Sequence, residues 1–286
     1  MRFGIVILPD QPWPQGGDRW RRAESYGFDH AWTYDHLAWR SLADGPWFDA
    51  VTTLTAAALS TSRIRLGTLV ANPSIRHPVG FARQVMALDD LSGGRFTLGV
   101  GAGAAVLDPT ILGDPPLAPR ALVDRLGEFV ELLDALLTTD HVNYSGEYYT
   151  AVDARTLPGC VQRPRLPFLV AANGARSMRI AARFGQGWVT TGPKVEDLDA
   201  WWKAVAELID RHRELTGEST VDRCLSLDAA PVFSLSSVDY FADAAGRAAE
   251  LGFTDVITHW PRERDWYAGD IGVLEDVVTS VIPRYR

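Results

Sequence analysis

A histidine beside a carboxylate, at the end of an apolar run, is the first feature of this sequence that could do chemistry. In Trp32-Thr33-Tyr34-Asp35-His36 an imidazole can give or take a proton and a carboxylate can orient it. Asp35 reads equally well as a cap for the turn that follows. A second run, Gly67-Thr68-Leu69-Val70-Ala71, ends in Asn72-Pro73 and continues to Arg76-His77-Pro78. Asn72 there offers amide donor and acceptor groups, and Pro78 can open a helix. In Gly99-Val100-Gly101-Ala102-Gly103 the glycines let a flat or phosphorylated ligand come close to the backbone. This is no dinucleotide fingerprint, because Ala104 stands where a last glycine is needed and no helical pattern opens until Pro119. Asn173-Gly174-Ala175 leads from an apolar run into a helical one, whose first N–H groups can bind an anion without lysine. Thr190 and Thr191, just before Gly192, add hydroxyl donors at the end of the next run. Taken singly, the last three segments are also ordinary turn chemistry.

Other chemistries are excluded by spacing and charge. The six histidines show no H-x-x-x-H or H-E-x-x-H pattern, so no zinc site is expected, and no G-x-S-x-G elbow marks a serine hydrolase. Cys160 and Cys224 form no C-x-x-C pair and no disulfide framework. With 28 Lys and Arg against 36 Asp and Glu, the net charge of −8 argues against a partner recognised by its phosphates, such as nucleic acid. No apolar stretch is long enough to span a membrane, and a soluble, cytoplasmic protein is expected. Only Lys194 and Lys203 are lysines, so anions must be met by arginine, backbone N–H groups and helix N-termini.

These segments need a scaffold that brings strand ends together. Short runs apolar on both parities occur at Phe3–Leu8, His30–Tyr34, Arg65–Val70, Phe96–Gly101, Pro167–Ala172, Trp188–Thr191, Leu225–Pro231 and Asp255–His259. Strands buried on both faces read this way. Between them lie helical patterns, clearest at Trp47–Ser60, Pro78–Leu91, Pro119–Leu137, Ala175–Phe184, Val195–Thr216, Ser237–Leu251 and Ile271–Ile282. Three helices are expected to end in Ala-x-x-x-Gly, with Gly27, Gly185 and Gly252 left-handed before the next strand. Eight strands alternating with about eight helices predict an α/β fold, a single (β/α)8 barrel over residues 1–286. Two insertions interrupt it. Ala102–Leu117, rich in proline and glycine, reads as a loop after strand four. Thr138–Gln162 reads as a hairpin around Ser145-Gly146, before strand five.

In this order the segments resemble the bacterial luciferase-like superfamily of flavin- and deazaflavin-dependent oxidoreductases. The likeness runs over nearly the whole chain. It is most specific at Gly27-Phe28…Trp32…Asp35-His36-Leu37, Gly67-Thr68…Pro73…Arg76-His77-Pro78, Ser92-Gly93-Gly94-Arg95-Phe96…Gly99-Val100-Gly101 and Ala181-Ala182-Arg183-Phe184-Gly185-Gln186-Gly187-Trp188. The resemblance implies a (β/α)8 barrel holding FMN or coenzyme F420 at its C-terminal mouth, with the F420-using branch favoured. It further implies that Asp35 and His36 stand beside the reactive ring as the catalytic pair. Leu69 and Val70 would be joined by a non-prolyl cis peptide that backs the ring, and Asn72 would touch the ring edge. Gly101, Ala102 and Gly103 would line the cofactor. Asn173, Gly174, Ala175, Thr191 and Gly192 would hold its ribityl and phosphate chain. The resemblance has gaps. The sugar-phosphate dehydrogenase branch has a glutamate proton donor where this chain has Ala104, and luciferase itself has a histidine where this chain has Asp35.

The leading expectation is an oxidoreductase moving a hydride between F420 and a small organic substrate. An FMN-dependent monooxygenase and a flavin-binding protein without catalysis are the alternatives. His36, oriented by Asp35, is expected to handle the proton, with Trp13, Trp32, Trp39 and Trp47 forming an aromatic substrate side. A homodimer is expected from the resemblance and from apolar helix faces in Trp47–Ser60 and Pro78–Leu91.

Overall fold

The structure, a computed structural model, describes residues 1–103, 107–217 and 221–286. Its strands are β1 (Arg2–Val6), β2 (His30–Thr33), β3 (Arg65–Thr68), β4 (Phe96–Val100), β5 (His141–Ser145), β6 (Thr150–Arg155), β7 (Phe168–Ala171), β8 (Gly187–Thr190), β9 (Asp222–Ser226) and β10 (Asp255–His259). Eight of them close into a barrel in the order β1-β10-β9-β8-β7-β4-β3-β2. Neighbouring barrel strands pair in parallel, as Ile5 with Thr258 and Gly67 with Thr97 show. β5 and β6 form the separate antiparallel hairpin expected around Ser145-Gly146. The helices are α1 (Trp13–Ser25), α2 (Ala50–Ser60), α3 (Pro78–Leu91), α4 (Leu107–Leu112), α5 (Pro119–Thr138), α6 (Ala175–Phe184), α7 (Leu198–Thr216), α8 (Val238–Leu251) and α9 (Ile271–Ser280). This is the (β/α)8 barrel that the alternating pattern predicts.

Strand parity divides the core in two. Phe3, Ile5, Phe168, Val170, Trp188, Leu225 and Val256 point outward under the helices. Val6, Trp32, Leu169, Val189, Cys224 and Ile257 point inward and fill the barrel. Trp32 is therefore an interior residue, its indole N–H donating to His30 Nδ1 at 2.6 Å, and it does not belong to the mouth. Gly67 makes room for it, since a Cβ there would stand 2.3 Å from the Trp32 ring.

Side-chain caps explain where the helices depart from their sequence patterns. α2 opens at Ala50 rather than Trp47 because Asp49 accepts the N–H of Thr52. α7 opens after Asp197 and not at Val195 for the same reason. Gly27 and Gly252 are left-handed as expected, at φ +82° and +85°. Gly185 is not. Its φ is −79°, and glycine is needed because a Cβ would approach the carbonyl oxygens of Ala181 and Gly187 at 2.7 Å. The strand expected at Leu225–Pro231 lies earlier, at Asp222–Ser226, and Leu227–Ala229 coil into a 3-10 turn. The Ala102–Leu117 segment is no plain loop, for it contains α4.

A buried histidine gives the fold a measurable pH response. His212 on α7 is 1% exposed, stacks on Trp188 at 4.3 Å, and has no hydrogen-bond partner on either ring nitrogen among the described residues. Burial, helped by Arg223, pushes its pKa down to about 4. The neutral form is thus favoured on folding. Its contribution is complete above the ordinary histidine range and is lost as pH falls from there towards 4. Denaturant melts at pH 7 and pH 4.5 should show the wild type losing on the order of 3 kcal/mol more than His212→Leu. Equal losses would refute this.

Candidate active site

Five consecutive strands of the barrel, β2-β3-β4-β7-β8, carry all the catalytic and cofactor-binding residues singled out from the sequence, whereas Trp13 of the aromatic group opens α1 after β1. Their C-terminal ends form one arc of the rim. Asp35 and His36 follow β2, Leu69 to Asn72 follow β3, and Gly101 to Gly103 follow β4. Asn173 to Ala175 follow β7, and Thr191 and Gly192 follow β8. C-terminal rims are where barrels of this kind build their sites.

The expected pairing of Asp35 with His36 is not what the structure shows. Asp35 is 1% exposed, and its carboxylate accepts from Arg76 Nη2 at 2.7 Å, Arg76 Nε at 3.2 Å and the Asn72 N–H at 3.3 Å. Arg76 also reaches Asp49, the cap of α2, at 2.6 Å. Burial opposes its charge, but the two carboxylates outweigh it and hold the guanidinium pKa above its usual value. Asp35 therefore ties the β2 end to the β3–α3 loop and to α2.

His36 is oriented by a different carboxylate, Asp108 on α4. Its Nδ1 lies 2.6 Å from Asp108 Oδ2. Asp108 is fully buried and also accepts from the Leu37 N–H at 2.8 Å and Asn72 Nδ2 at 2.7 Å. Burial alone would raise the carboxyl pKa, yet His36 and the N–H groups of Leu37 and Ala38 hold it below the usual range. A carboxylate at Nδ1 favours the tautomer with the proton there, leaving Nε2 as a lone pair on a side chain that is 18% exposed. Trp47 steadies the loop by donating its indole N–H to the His36 carbonyl at 2.8 Å. Sequence reasoning missed Asp108, one of two acids in a stretch that its prolines and glycines mark as a loop.

Beside His36, the Leu69–Val70 peptide is cis, as the resemblance implies, and both residues are partly open to solvent. Asn72 is 1% exposed, and its amide turns inward, donating to Asp108 and accepting the Ser74 N–H at 2.9 Å. Gly103 has φ +71°, and a Cβ there would press on Asn72 Oδ1 at 2.5 Å. Ala104, where the related branch has its glutamate, lies outside the described residues.

At the far end of the arc, Asn173 Nδ2 donates to Thr191 Oγ1 and the Gly192 carbonyl, both at 3.0 Å. Thr190 Oγ1 donates to Asn173 Oδ1 at 2.7 Å. Gly174 is the N-cap of α6 and supplies no side-chain acceptor, so the first N–H groups of the helix face solvent uncapped. That is a donor set for an anion.

Of the expected aromatic group, Trp39 and Trp47 do stand together at the rim, their rings 6.4 Å apart and near parallel. Tyr267 stacks on Trp39 at 5.9 Å. Among the described residues no cluster of His, Cys, Asp and Glu could hold a metal ion, and no helix is long and apolar enough to cross a membrane.

Comparison with known proteins gives the family and the fold. The family model described as luciferase-like monooxygenase matches residues 1–232. An F420-dependent glucose-6-phosphate dehydrogenase of Amycolatopsis mediterranei is 35% identical over 182 residues, 62% of this chain and 53% of that protein. This chain thus spans about half the length of that relative. An uncharacterised protein of Mycobacterium tuberculosis is 31% identical over 278 residues, 91% of this chain and 92% of its own. Among solved structures, a monooxygenase from Streptomyces bottropensis superposes with a TM-score of 0.82 at 21% identity, covering 100% of both chains. The F420-dependent tetrahydromethanopterin reductase of Methanopyrus kandleri gives 0.80 at 21%, covering 100% of this chain and 99% of its own. At such identities these structures speak for the fold.

Proposed function

Since the chain belongs to the luciferase-like monooxygenase family, we propose that it is an oxidoreductase moving a hydride between coenzyme F420 and a small organic substrate at the barrel mouth. The observation that carries this reading is the juxtaposition along one arc of the rim. An open cis Leu69–Val70 peptide lies between a carboxylate-oriented His36 and the uncapped N-terminus of α6. A flat ring with a phosphorylated tail fits that layout. F420 is favoured over FMN by the names of relatives such as the Amycolatopsis mediterranei dehydrogenase.

In this reading Leu69 and Val70 back the ring, and Gly101, Ala102 and Gly103 let it lie against β4. Asn173, Gly174 and Ala175, with Thr191 and Gly192, receive the ribityl and phosphate chain. When bound, the deazaflavin supplies a two-electron hydride donor or acceptor. His36 supplies one route for a proton. Its Nε2 gives or takes a proton as the hydride moves, and the imidazolium form is stabilised by the Asp108 carboxylate against Nδ1. Asp35 and Asn72 act on the site indirectly, through Arg76 and Asp108. The pairing of two copies through the faces of α2 and α3, where Leu59 and Leu91 stay exposed, remains part of the proposal.

Gly174→Asp tests the phosphate placement. No atom lies nearer than 3.8 Å to a Cβ built there, so the side chain fits. The new carboxylate would cap α6, raising stability by a few tenths of a kcal/mol. It would also repel a phosphate, weakening F420 binding about tenfold or more. Unchanged affinity would place the tail elsewhere. The reaction class is tested by supplying reduced F420 and a panel of carbonyl acceptors with and without O2. Hydride transfer predicts acceptor reduction without O2, whereas a need for O2 together with reduced FMN would favour the monooxygenase.

A further inference from the structure

A second chain of proton-carrying groups reaches the same mouth from the opposite flank. Tyr34 lies between His36 and the barrel strand β2, yet its side chain turns away from Asp108 towards β10. Its hydroxyl is 2.7 Å from His259 Nε2 and 2.9 Å from the Tyr267 hydroxyl. His259 Nδ1 is 2.8 Å from Asp228 Oδ2, and the Tyr267 ring stacks on the imidazole at 3.7 Å. Asp228 also accepts from the N–H groups of His259 at 2.6 Å and Ser234 at 2.8 Å, and from Thr258 Oγ1 at 3.2 Å.

The burial of these groups gives the chain a direction. The side chains of His259 and Asp228 are 2% and 0% exposed, so the chain is closed at that end. Tyr34 and Tyr267 are only partly buried and pack with Trp39, Trp47 and Leu69 at the rim. The Tyr34 and His36 rings are 6.1 Å apart and edge to face. Structural support alone does not require a histidine and a carboxylate in line behind a phenol. A fold needing only to fill this space would do so at lower cost with apolar side chains.

We propose that Tyr34, His259 and Asp228 form a second proton relay, which exchanges a proton with the oxygen of an alcohol or carbonyl substrate at the barrel mouth. In the oxidising direction the alcohol O–H bond breaks and its proton goes to the Tyr34 oxygen. The Tyr34 proton passes to His259 Nε2, and the imidazolium pairs with the Asp228 carboxylate. The electrons of the alcohol C–H bond leave as hydride to the deazaflavin, so a carbonyl remains. The reducing direction returns the proton by the same route. Burial raises the Tyr34 phenol pKa well above its usual value, so passing a proton through is favoured over storing a phenolate. The substrate class rests on the proposed function. The hydrogen-bond chain does not.

Two arms separate those claims. The first is 15N NMR of histidine-labelled protein without cofactor, the His259 signals being assigned with His259→Gln. Wild type should show Nδ1 protonated and Nε2 accepting a hydrogen bond. In Tyr34→Phe the Nε2 signal should move to that of a free lone pair while Nδ1 stays protonated. The second arm uses F420 with cyclohexanol as the probe alcohol. Tyr34→Phe should lose kcat by roughly a hundredfold or more with F420 affinity unchanged, and Asp228→Asn, checked by circular dichroism for an intact fold, should follow it. An Nε2 signal that Tyr34→Phe leaves in place, or full turnover in Tyr34→Phe, overturns the relay. If wild type fails to bind F420 or to oxidise the probe, the proposed function or its substrate class has failed, and the relay stands or falls on the Nε2 signal.

Discussion

Replacing His36 by alanine is expected to lower turnover by roughly two to four decades, the range typical of a removed acid or base, while F420 affinity stays near its wild-type value. The expectation follows from geometry. Nδ1 is engaged by the buried Asp108 carboxylate at 2.6 Å, so the imidazole is held with one nitrogen committed inward, and the side chain is 18% exposed. The partners of His36, Asp108, Trp47 and Tyr34, lie away from the α6 end of the arc, where the phosphate chain would sit. Stability should fall only modestly, because Asp108 keeps the Leu37 N–H and the Asn72 amide as partners. Steady-state kinetics and a cofactor titration on the same preparation decide it. Unchanged turnover, or loss of cofactor affinity alone, would make His36 a binding residue.

Asp35→Ala should produce the opposite profile, a stability loss of about 3 kcal/mol. The carboxylate is buried and takes both Arg76 Nη2 and Nε, so its removal strips a guanidinium that is itself only 14% exposed. Breaking such a buried pair ordinarily costs about 3–5 kcal/mol, and the low end applies because Asp49 remains to neutralise Arg76. A chemical-denaturation curve measures this directly. A fall below about 1 kcal/mol would mean that Arg76 finds its balance elsewhere, since that is the scale of a surface pair. The two adjacent residues are thus predicted to separate, His36 affecting turnover and Asp35 affecting the fold.

How much of this was legible in the sequence differs between backbone and side chains. Strands buried on both faces read as continuous apolar runs, which is why β2, β4, β7 and β10 fall close to their expected limits. Pro78 and Pro119 mark helix starts because their missing N–H costs nothing at a first turn. The cis bond at Leu69–Val70 followed from resemblance alone, since nothing in the residue types demands it. The partners of the site residues were not legible. Asp108 meets His36 across 72 positions of sequence, and Asp228 meets His259 across 31. Both acids sit in short helical turns, α4 and the turn at Leu227–Ala229, too brief to leave a periodic pattern. The same turn explains the misplaced strand. Leu225–Pro231 is apolar enough for β structure, but Asp228 leaves the ladder to bond with His259 and Ser234, and β9 instead begins at the polar Asp222 and Arg223.

The central claim is that the barrel mouth holds a deazaflavin, and one titration tests it most directly. Purified protein is titrated with F420 and, separately, with FMN, following the fluorescence of each cofactor. The account predicts saturable, tight binding of F420, weakened in Gly174→Asp, with little or no binding of FMN. Tight binding of FMN in place of F420 would contradict the cofactor assignment, and binding of neither would contradict the reading of this arc of the rim as a cofactor site.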